Sequence, residues 1–521
     1  MSAPLAPPAV LTVDVGSGSC RALVFDAAGT LHGIAQREWT YHPVPDAPGG
    51  FDFDTADGWA QVAASVREAL AAAAVPPEAI AAVAAASMRE GMVLWDADGR
   101  ELWACPNIDA RAGAEAVEMI AEGLAERQYR RGGDWTSITA PARLRWLARH
   151  QPATLARARH LTMLGDWVVA RLSGVYATDP SLGSSSNLFD LARRGWSPES
   201  RAEVGLADIL PPVHESGTVV GAVTPAAAAA TGLLPGTPVV AGGADTQLAL
   251  LAAGLTDGLR FATVGGTFWQ SAAIADTPVI DPEFRLRTLC HVIPGTWMIE
   301  GIGFLHGMTT RWVRDGLLRA ANPGIGATEG YELLERMAAA VPAGSEGLVF
   351  LASNVMDDKA WRHPPPSLVG LDILRPEAVG LGAIFRAAQE QAAYVARGHY
   401  EILAEVCGAA PDGIRFVGGP ARGTLWPQIL ADVLGVPVET PPVREATCFG
   451  AALCALVGAG AFPSLREAAA ATARPPGRHE PDPPTHATYD AAYARWRALN
   501  DHLLAAADAG LAPHLWKGAG A

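Results

Sequence analysis

The chain has 521 residues, too many for one hydrophobic core and enough for about two to four domains of ordinary size; two large domains are expected. Half of the residues are hydrophobic and 18% are charged, the balance of a folded globular protein and not of a disordered scaffold. Lys+Arg 39 against Asp+Glu 54 leaves a formal net charge of −15, which argues against a broad nucleic-acid-binding or anionic-membrane surface.

After a proline-rich leader, residues 1–8, Leu11-Thr12-Val13-Asp14-Val15 predicts a buried strand, Gly16-Ser17-Gly18-Ser19 a turn and Arg21 to Asp26 a second strand. Asp14 near the tip of this hairpin has two readings. A carboxylate beside small residues can approach a polyphosphate and hold Mg²⁺, and an Asp at a strand end commonly accepts hydrogen bonds from a turn. A third strand is expected around Ile34, then an amphipathic helix capped by Thr55, with Trp59, Val62, Val66 and Leu70 on its apolar face. Pro76, Pro77 and Glu78 interrupt the alanine-rich stretch around 69–86, which argues against a membrane span there. Arg89-Glu90 sets opposite charges in an apolar region ahead of Gly91-Met92-Val93-Leu94. The pair is either a fixed donor and acceptor for substrate hydroxyls or an exposed hairpin-edge pair of little energetic weight. Asp109 and Arg111, after Trp103-Ala104-Cys105-Pro106, carry the same two readings.

Further along, the apolar strand Pro238 to Ala241 enters Gly242-Gly243-Ala244-Asp245-Thr246-Gln247. A carboxylate beside a glycine-opened cleft can accept a hydroxyl proton while Gln247 orients that hydroxyl; alternatively Asp245 caps the helix that follows. Leu259 to Val264, Gly265-Gly266-Thr267 and Phe268 to Ile274 repeat the strand–turn–strand grammar of the N-terminus. Thr267 can donate to a transferring phosphoryl group or simply turn the chain. Two related α/β halves, each lending a glycine-rich turn to a shared cleft, fit this duplication; domains are expected at 9–254 and 255–500, with a tail at 501–521. Phe268, Trp269, Trp297, Phe304, Met308 and Trp312 are expected in the core, as are His291 and His306. Arg415-Phe416-Val417 reads as a strand entering Gly418-Gly419, with a helix from Leu425 to Leu434; strand, glycine turn and helix start together make a phosphate or nucleotide cradle. Residues 473–485 read as an exposed connector to one final amphipathic helix.

Absent motifs narrow the field. Lysine occurs only at Lys359 and Lys517, with no Gly-Lys pair, so a Walker-type P-loop and the protein-kinase lysine are excluded. There is no Gly-x-Gly-x-x-Gly, Gly-x-Ser-x-Gly or His-Glu-x-x-His. Cys20, Cys105, Cys290, Cys407, Cys448 and Cys454 show neither Cys-x-x-Cys nor metal-ligand spacing and read as small buried hydrophobes in a reducing compartment. The leader has no basic region ahead of an apolar stretch, so a cytoplasmic protein is expected.

Taken together and in order, these elements resemble the FGGY family of carbohydrate kinases, over residues 9 to 500. Asp14 to Ser19 looks like the family's first phosphate motif, Gly243-Ala244-Asp245 its catalytic-base motif, Gly265-Gly266-Thr267 its second phosphate motif and Gly418-Gly419 its adenosine motif. The resemblance implies an α/β fold of two actin-like, ribonuclease-H-type domains with ATP and sugar in the cleft between them. It implies Asp245 as base, Mg²⁺ near Asp14, nucleotide contacts at Ser17, Ser19, Gly266, Thr267, Gly418 and Gly419, and substrate contacts at Arg89, Glu90, Asp109, Asp245 and Gln247. Ser17 and Ser19 stand where many relatives have threonine, and Pro420 where small non-proline residues are usual. Ser87-Met88-Arg89-Glu90-Gly91, Trp103 to Arg111, Val264 to Gln270, His291 to Gly295 and Thr310-Arg311-Trp312 narrow the resemblance. They look like the branch that phosphorylates ring-opened 4,5-dihydroxypentane-2,3-dione on its terminal hydroxyl. Glycerol kinases carry an Arg-Glu pair and xylulokinase-like relatives Met-His at Met88-Arg89, so a glycerol, erythritol or pentulose kinase is the alternative. An actin- or chaperone-like ATPase switch is the reading from another class; the chain is expected to lack room for the appended partner-binding module that a switch needs. Expected partners are ATP and a small sugar-like substrate, with no nucleic acid and no membrane, and a homodimer left open.

Overall fold

The structure, a computed structural model, describes residues 6–375 and 378–521; residues 1–5 of the proline-rich leader lie outside the described residues. Strand β1 (Ala9–Val15) pairs antiparallel with β2 (Ser19–Asp26), and β2 with β3 (Leu31–Glu38). Every residue of β1 is buried, so the strand needs cover on both faces. On one side Leu11 and Val13 meet Val62 and Val66 of helix α1 (Thr55–Ala73); on the other Val10 and Leu23 meet a helix from near the end of the chain. The cap of α1 is Asp54, not Thr55: its carboxylate accepts from the Ala56 and Asp57 amides, and Asp outranks Thr as an N-cap.

β4 (Ile80–Ser87) returns parallel to β1 and runs into the hairpin β5 (Met92–Trp95) and β6 (Glu101–Cys105). With β7 (Val219–Ala222) and β8 (Pro238–Ala244) the first sheet has the order β7-β8-β4-β1-β2-β3. Helix α2 (Asp245–Ala252) leaves the end of β8 directly.

The second sheet is built from β9 (Arg260–Gly265), β10 (Trp269–Ala275), β11 (Arg287–Cys290), β12 (Trp297–Gly303), then, after helix α3 (Leu381–Cys407), from β13 (Ile414–Gly418). Helix α4 (Leu425–Leu434), β14 (Val438–Thr440), α5 (Ala446–Gly458), α6 (Leu465–Thr472), β15 (Gly477–His479) and α7 (Pro483–Asp508) complete the order, and the sheet runs β11-β12-β10-β9-β13-β14-β15. In each sheet three antiparallel strands sit beside two strands parallel to the first of them: β8-β4-β1-β2-β3 in one, β14-β13-β9-β10-β12 in the other. One α/β design is thus used twice, as the repeated strand–turn–strand grammar led one to expect. Helices α2 and α5 cross against each other. At Gly450 a Cβ would overlap the Leu248 carbonyl, so α5 approaches α2 as closely as only glycine allows.

Several expectations are corrected here. The 473–485 connector contains strand β15, which pairs antiparallel with β14 because that edge offers unpaired backbone groups. Helix α7 runs through residue 500 to Asp508, and Trp516–Lys517 pairs with Arg362–His363. Met308 and Trp312 are 49% and 48% exposed: the helix His306–Trp312 turns His306, Thr309 and Thr310 inward, which leaves positions 308 and 312 on its outer face. His291 and His306 are buried, and desolvation pushes both down to about 3, so both are neutral. His306 finds no hydrogen-bond partner for either ring nitrogen. All six cysteines are free thiols, five of them buried, and among the described residues no helix is long and apolar enough to cross a membrane.

Candidate active site

The two glycine-rich turns face one cavity of about 510 Å³, lined among others by Asp14, Ser17, Ser19, Asp245, Gly266, Thr267, Gly418 and Gly419. The fold therefore brings together residues separated by some four hundred positions. In the β1–β2 turn the Gly16 amide donates to the Ser19 carbonyl at 2.9 Å, leaving Ser17 exposed to the cavity. Ser17 Oγ accepts from Asn107 Nδ2 at 3.1 Å and Ser19 Oγ from Gln36 Nε2 at 3.2 Å. In the β9–β10 turn the Gly266 amide donates to the Phe268 carbonyl at 2.9 Å, and Thr267 is exposed.

Gly418 ends β13 opposite Gly265 of β9. Its φ is +104°, and a Cβ there would overlap the Gly265 backbone, so only glycine closes the cavity floor at this point. The chain then makes a 3₁₀ turn, Gly419–Arg422, before α4 begins at Leu425. The helix spans Leu425–Leu434 as expected, with Pro420 and Gly423 in the turn ahead of it.

Asp14 is buried. It takes no hydrogen bond from its turn; Arg21, its cross-strand neighbour on β2, ion-pairs with Oδ2 instead. Arg21 also meets Glu445 at 2.7 Å, and Glu445 meets Arg422 at 3.0 Å. Asp14 Oδ1, buried against the cavity, has no partner. A carboxylate oxygen left free beside a phosphate-sized cavity fits a divalent cation whose other ligands are phosphate oxygens and water.

Asp245 is the first residue of α2, with Ala244 at the N-cap; the capping reading fails because β8 carries the backbone one residue further. Its Oδ1 accepts from the Thr246 amide at 2.7 Å. Desolvation pushes the carboxyl up to about 6; nearby Arg89 opposes this, and Asp14 and Glu90 add to it. Gln247 is fully buried, its Nε2 donating to the Cys290 carbonyl at 3.3 Å and its Oε1 without a partner.

Arg89 and Glu90 are not an exposed edge pair; both are buried, 6% and 5% exposed. Glu90 adopts φ +63°, a strained conformation for a non-glycine residue that a functional site can hold. Each of the two pairs across to the second sheet. Arg89 ion-pairs with Glu300 of β12, and Glu90 with Arg287 of β11 at 2.5 Å. Arg287 also holds Asp134 at 2.6 Å, and burial raises the Asp134 carboxyl and that of its neighbour Asp358. Glu300 Oε2 is buried without a partner. Arg287, Glu300, Asp134 and Asp358 escaped sequence reasoning, although a lone Glu in Trp297-Met298-Ile299-Glu300-Gly301 and an Arg opening an apolar strand are signals of functional burial. Glu445 and Arg21 were missed as well; hairpin register alone would have set Arg21 opposite Asp14.

Asp109 does not line the cavity, and neither do Arg89, Glu90 and Gln247. Its Oδ1 accepts from the Phe51 amide at 2.9 Å and from Arg111 Nε at 2.8 Å, and Arg143 stands 3.3 Å from Oδ2. Arg143 in turn donates to the backbone carbonyls of Asp109 and Glu90, so one buried arginine links the two segments. Arg111 is stacked between Trp103 and Trp146. Trp269 packs against Phe416 and Trp426 as core, while Phe268 lines the cavity.

Comparison with known proteins agrees with this geometry. Residues 9–252 match the N-terminal domain of the FGGY family of carbohydrate kinases and residues 262–459 its C-terminal domain. The chain is 41% identical over 520 residues to the autoinducer-2 kinase of Salmonella typhimurium, covering 98% of this chain and 97% of that one. It is 42% identical to the autoinducer-2 kinase of Yersinia enterocolitica, covering 98% of each. Among solved structures, xylulose kinase from Rhodospirillum rubrum superposes with a TM-score of 0.80 at 27% identity, over 95% of this chain and 99% of that one. Two duplicated α/β sheets facing one phosphate-sized cavity, together with these matches along nearly the whole chain, make this protein a member of the FGGY family of carbohydrate kinases, ATP-dependent enzymes that phosphorylate small sugars.

Proposed function

We propose that the acceptor is the ring-opened precursor of autoinducer-2, 4,5-dihydroxypentane-2,3-dione, phosphorylated at its terminal C5 hydroxyl in the cytoplasm. The observation that carries the reading is Asp245: a carboxyl raised to about 6, set on the cavity between two phosphate turns and beside a buried Arg–Glu pair. A general base with a pKa near the working pH is ionised yet basic enough to take a hydroxyl proton. The names of the relatives at 41–42% identity supply the acceptor.

In this mechanism Asp245 accepts the C5 hydroxyl proton as the oxygen attacks the γ-phosphorus in line; the bond from the γ-phosphorus to the β,γ-bridging oxygen breaks and ADP leaves with its electron pair. The amides and hydroxyls of Ser17, Ser19, Gly266 and Thr267 stabilise the charge that spreads over the transferring group, and Gly418 and Gly419 let the nucleotide approach the backbone. Asp14 Oδ1 would hold Mg²⁺, which would supply neutralisation of the phosphate charge. Arg89 and Glu90 orient the substrate oxygens from a geometry set by Glu300 and Arg287; buried Gln247 stands behind Asp245 in the same helix, and Asp109 keeps Glu90 in place through Arg143. Two halves meeting at such a cavity exclude water from the γ-phosphate as they close.

A coupled ADP-release assay with 4,5-dihydroxypentane-2,3-dione, xylulose, ribulose and glycerol tests the acceptor, with NMR locating the phosphate. The dione should show the highest kcat/KM, because buried polar groups reject a molecule that leaves them unpaired. A preference for glycerol or a pentulose moves the enzyme to another acceptor, and ATP hydrolysis indifferent to all four favours the switch. A Gly418→Ala substitution should cost on the order of 10²-fold in kcat/KM for ATP, the usual effect of about 1 Å of misplacement, with little change in KM for the acceptor. Equal losses for both substrates would detach Gly418 from the nucleotide.

A further inference from the structure

A second cavity lies beyond helices α2 and α5, on the side away from Asp14 and Asp245. It measures about 350 Å³; Phe25, Val443 and Phe449 contribute apolar wall, Arg415, Arg444 and Arg474 line it as well, and none of the lining residues is acidic. In a chain with a net charge of −15 this is an electropositive recess against the general field. Most arginines here are spent on carboxylates. Arg444 and Arg474 are exposed and, among the described residues, enter no ion pair or hydrogen bond. Arg415 reaches Glu439 at 3.4 Å and donates to the Ala253 carbonyl at 2.6 Å.

We propose that this recess binds a small organic phosphate, no larger than a nucleoside monophosphate, as an effector of the kinase. Guanidinium forks match phosphate oxygens in a bidentate way, and the aromatic and aliphatic walls take the organic part. The volume is that of a small-molecule site.

The recess is wired to the catalytic cavity in two places. Val443 lines both cavities. Arg444 faces the recess, while the next residue, Glu445, held at φ +53°, faces the other way and pairs with Arg21, the partner of Asp14. A ligand that draws Arg444 inward therefore acts on Glu445 one peptide away. Arg415 binds the Ala253 carbonyl just past the C-terminal end of α2, the helix whose first residue is Asp245. A ligand with different affinities for two settings of these contacts shifts their populations. This coupling, unlike the site itself, rests on the roles proposed for Asp14 and Asp245.

The experiment is calorimetric titration of the full chain with AMP, glycerol 3-phosphate and inorganic phosphate, with adenosine as the uncharged control. A saturating non-hydrolysable ATP analogue fills the catalytic cavity throughout. One molecule of AMP or glycerol 3-phosphate should bind per chain, inorganic phosphate more weakly and adenosine not at all. The double variant Arg444→Ala/Arg474→Ala should lose at least ten-fold in affinity while keeping the wild-type melting temperature and basal kcat. The bound phosphate should change kcat or KM of the wild type and not of the variant. Absence of binding for all three phosphates, or equal binding by wild type and variant, overturns the site; binding through these arginines that leaves the kinetics untouched overturns the coupling. None of these binding outcomes depends on which acceptor the enzyme phosphorylates.

Discussion

Asp245→Asn is expected to fold and bind nucleotide as the wild type does and to lose about 10²–10⁴-fold in kcat, the span for removal of a general base. The amide keeps the shape and the hydrogen bond from the Thr246 amide but cannot accept the proton. Because desolvation raises the wild-type carboxyl to about 6, the base is protonated and inactive below that pH and ionised above it. In the wild type kcat/KM should climb with pH through about 6 and then level off. The charges that face this carboxyl, Asp14 from one segment and Arg89 and Glu90 from another, lie far from it in the chain, so the apparent pKa reports the assembled site. In Asp245→Asn this limb should vanish. Near-wild-type turnover, or an unchanged acidic limb in the variant, removes Asp245 from its proposed role; the two carboxyls raised by burial in the neighbouring charge cluster, Asp134 and Asp358, then become the ones to replace.

The second large effect concerns the charges that join the two sheets. Glu300 is fully buried and stands against Arg89, with Arg287 at 3.9 Å. Glu300→Ala leaves both guanidinium groups in a low-dielectric region with less negative charge than they need. Breaking a buried pair by deleting one partner costs about 3–5 kcal/mol. A clear fall in the midpoint of thermal unfolding should follow, accompanied by a rise in KM for the acceptor as Arg89 loses its anchor. Glu300→Gln keeps the volume and one acceptor oxygen and should lie between. The exposed carboxylate Glu118, which pairs with Arg149 at 2.6 Å, is the control: solvent screens such pairs, and Glu118→Ala should leave the midpoint where it was. Equal behaviour of the 300 and 118 variants would show that the buried cluster carries no special weight.

Much of this protein was legible before its structure. Strands β1, β2, β9 and β10 and helix α4 follow directly from runs of apolar residues bounded by glycine, because covered strands are apolar on both faces and glycine marks the turns. The residues facing the cavity lie near the ends of β1, β8, β9 and β13 or in the turns that follow, so Asp14, Ser17, Thr267, Gly418 and Asp245 could be named from local pattern. The motif order is a one-dimensional property, and it was enough to point to the family.

What the sequence could not decide is which charges meet. Arg89 and Glu90 are adjacent and read as each other's partners, yet each pairs with a residue about two hundred positions away, Glu300 and Arg287. Asp109, which the sequence offered as a substrate contact, meets Arg111 and Arg143 inside the protein. Asp245 could equally have capped its helix until β8 was seen to run to Ala244. The reason is physical. Strand and helix periodicity is a local property, repeating every two or 3.6 residues, whereas burial, ion pairing and a shifted pKa depend on what packs against a side chain from elsewhere in the chain. Local chemistry by itself determined the turns, the strands and the candidate carboxylates; the crossing of two sheets decided which of those carboxylates lost its water and which arginines came to stand beside it.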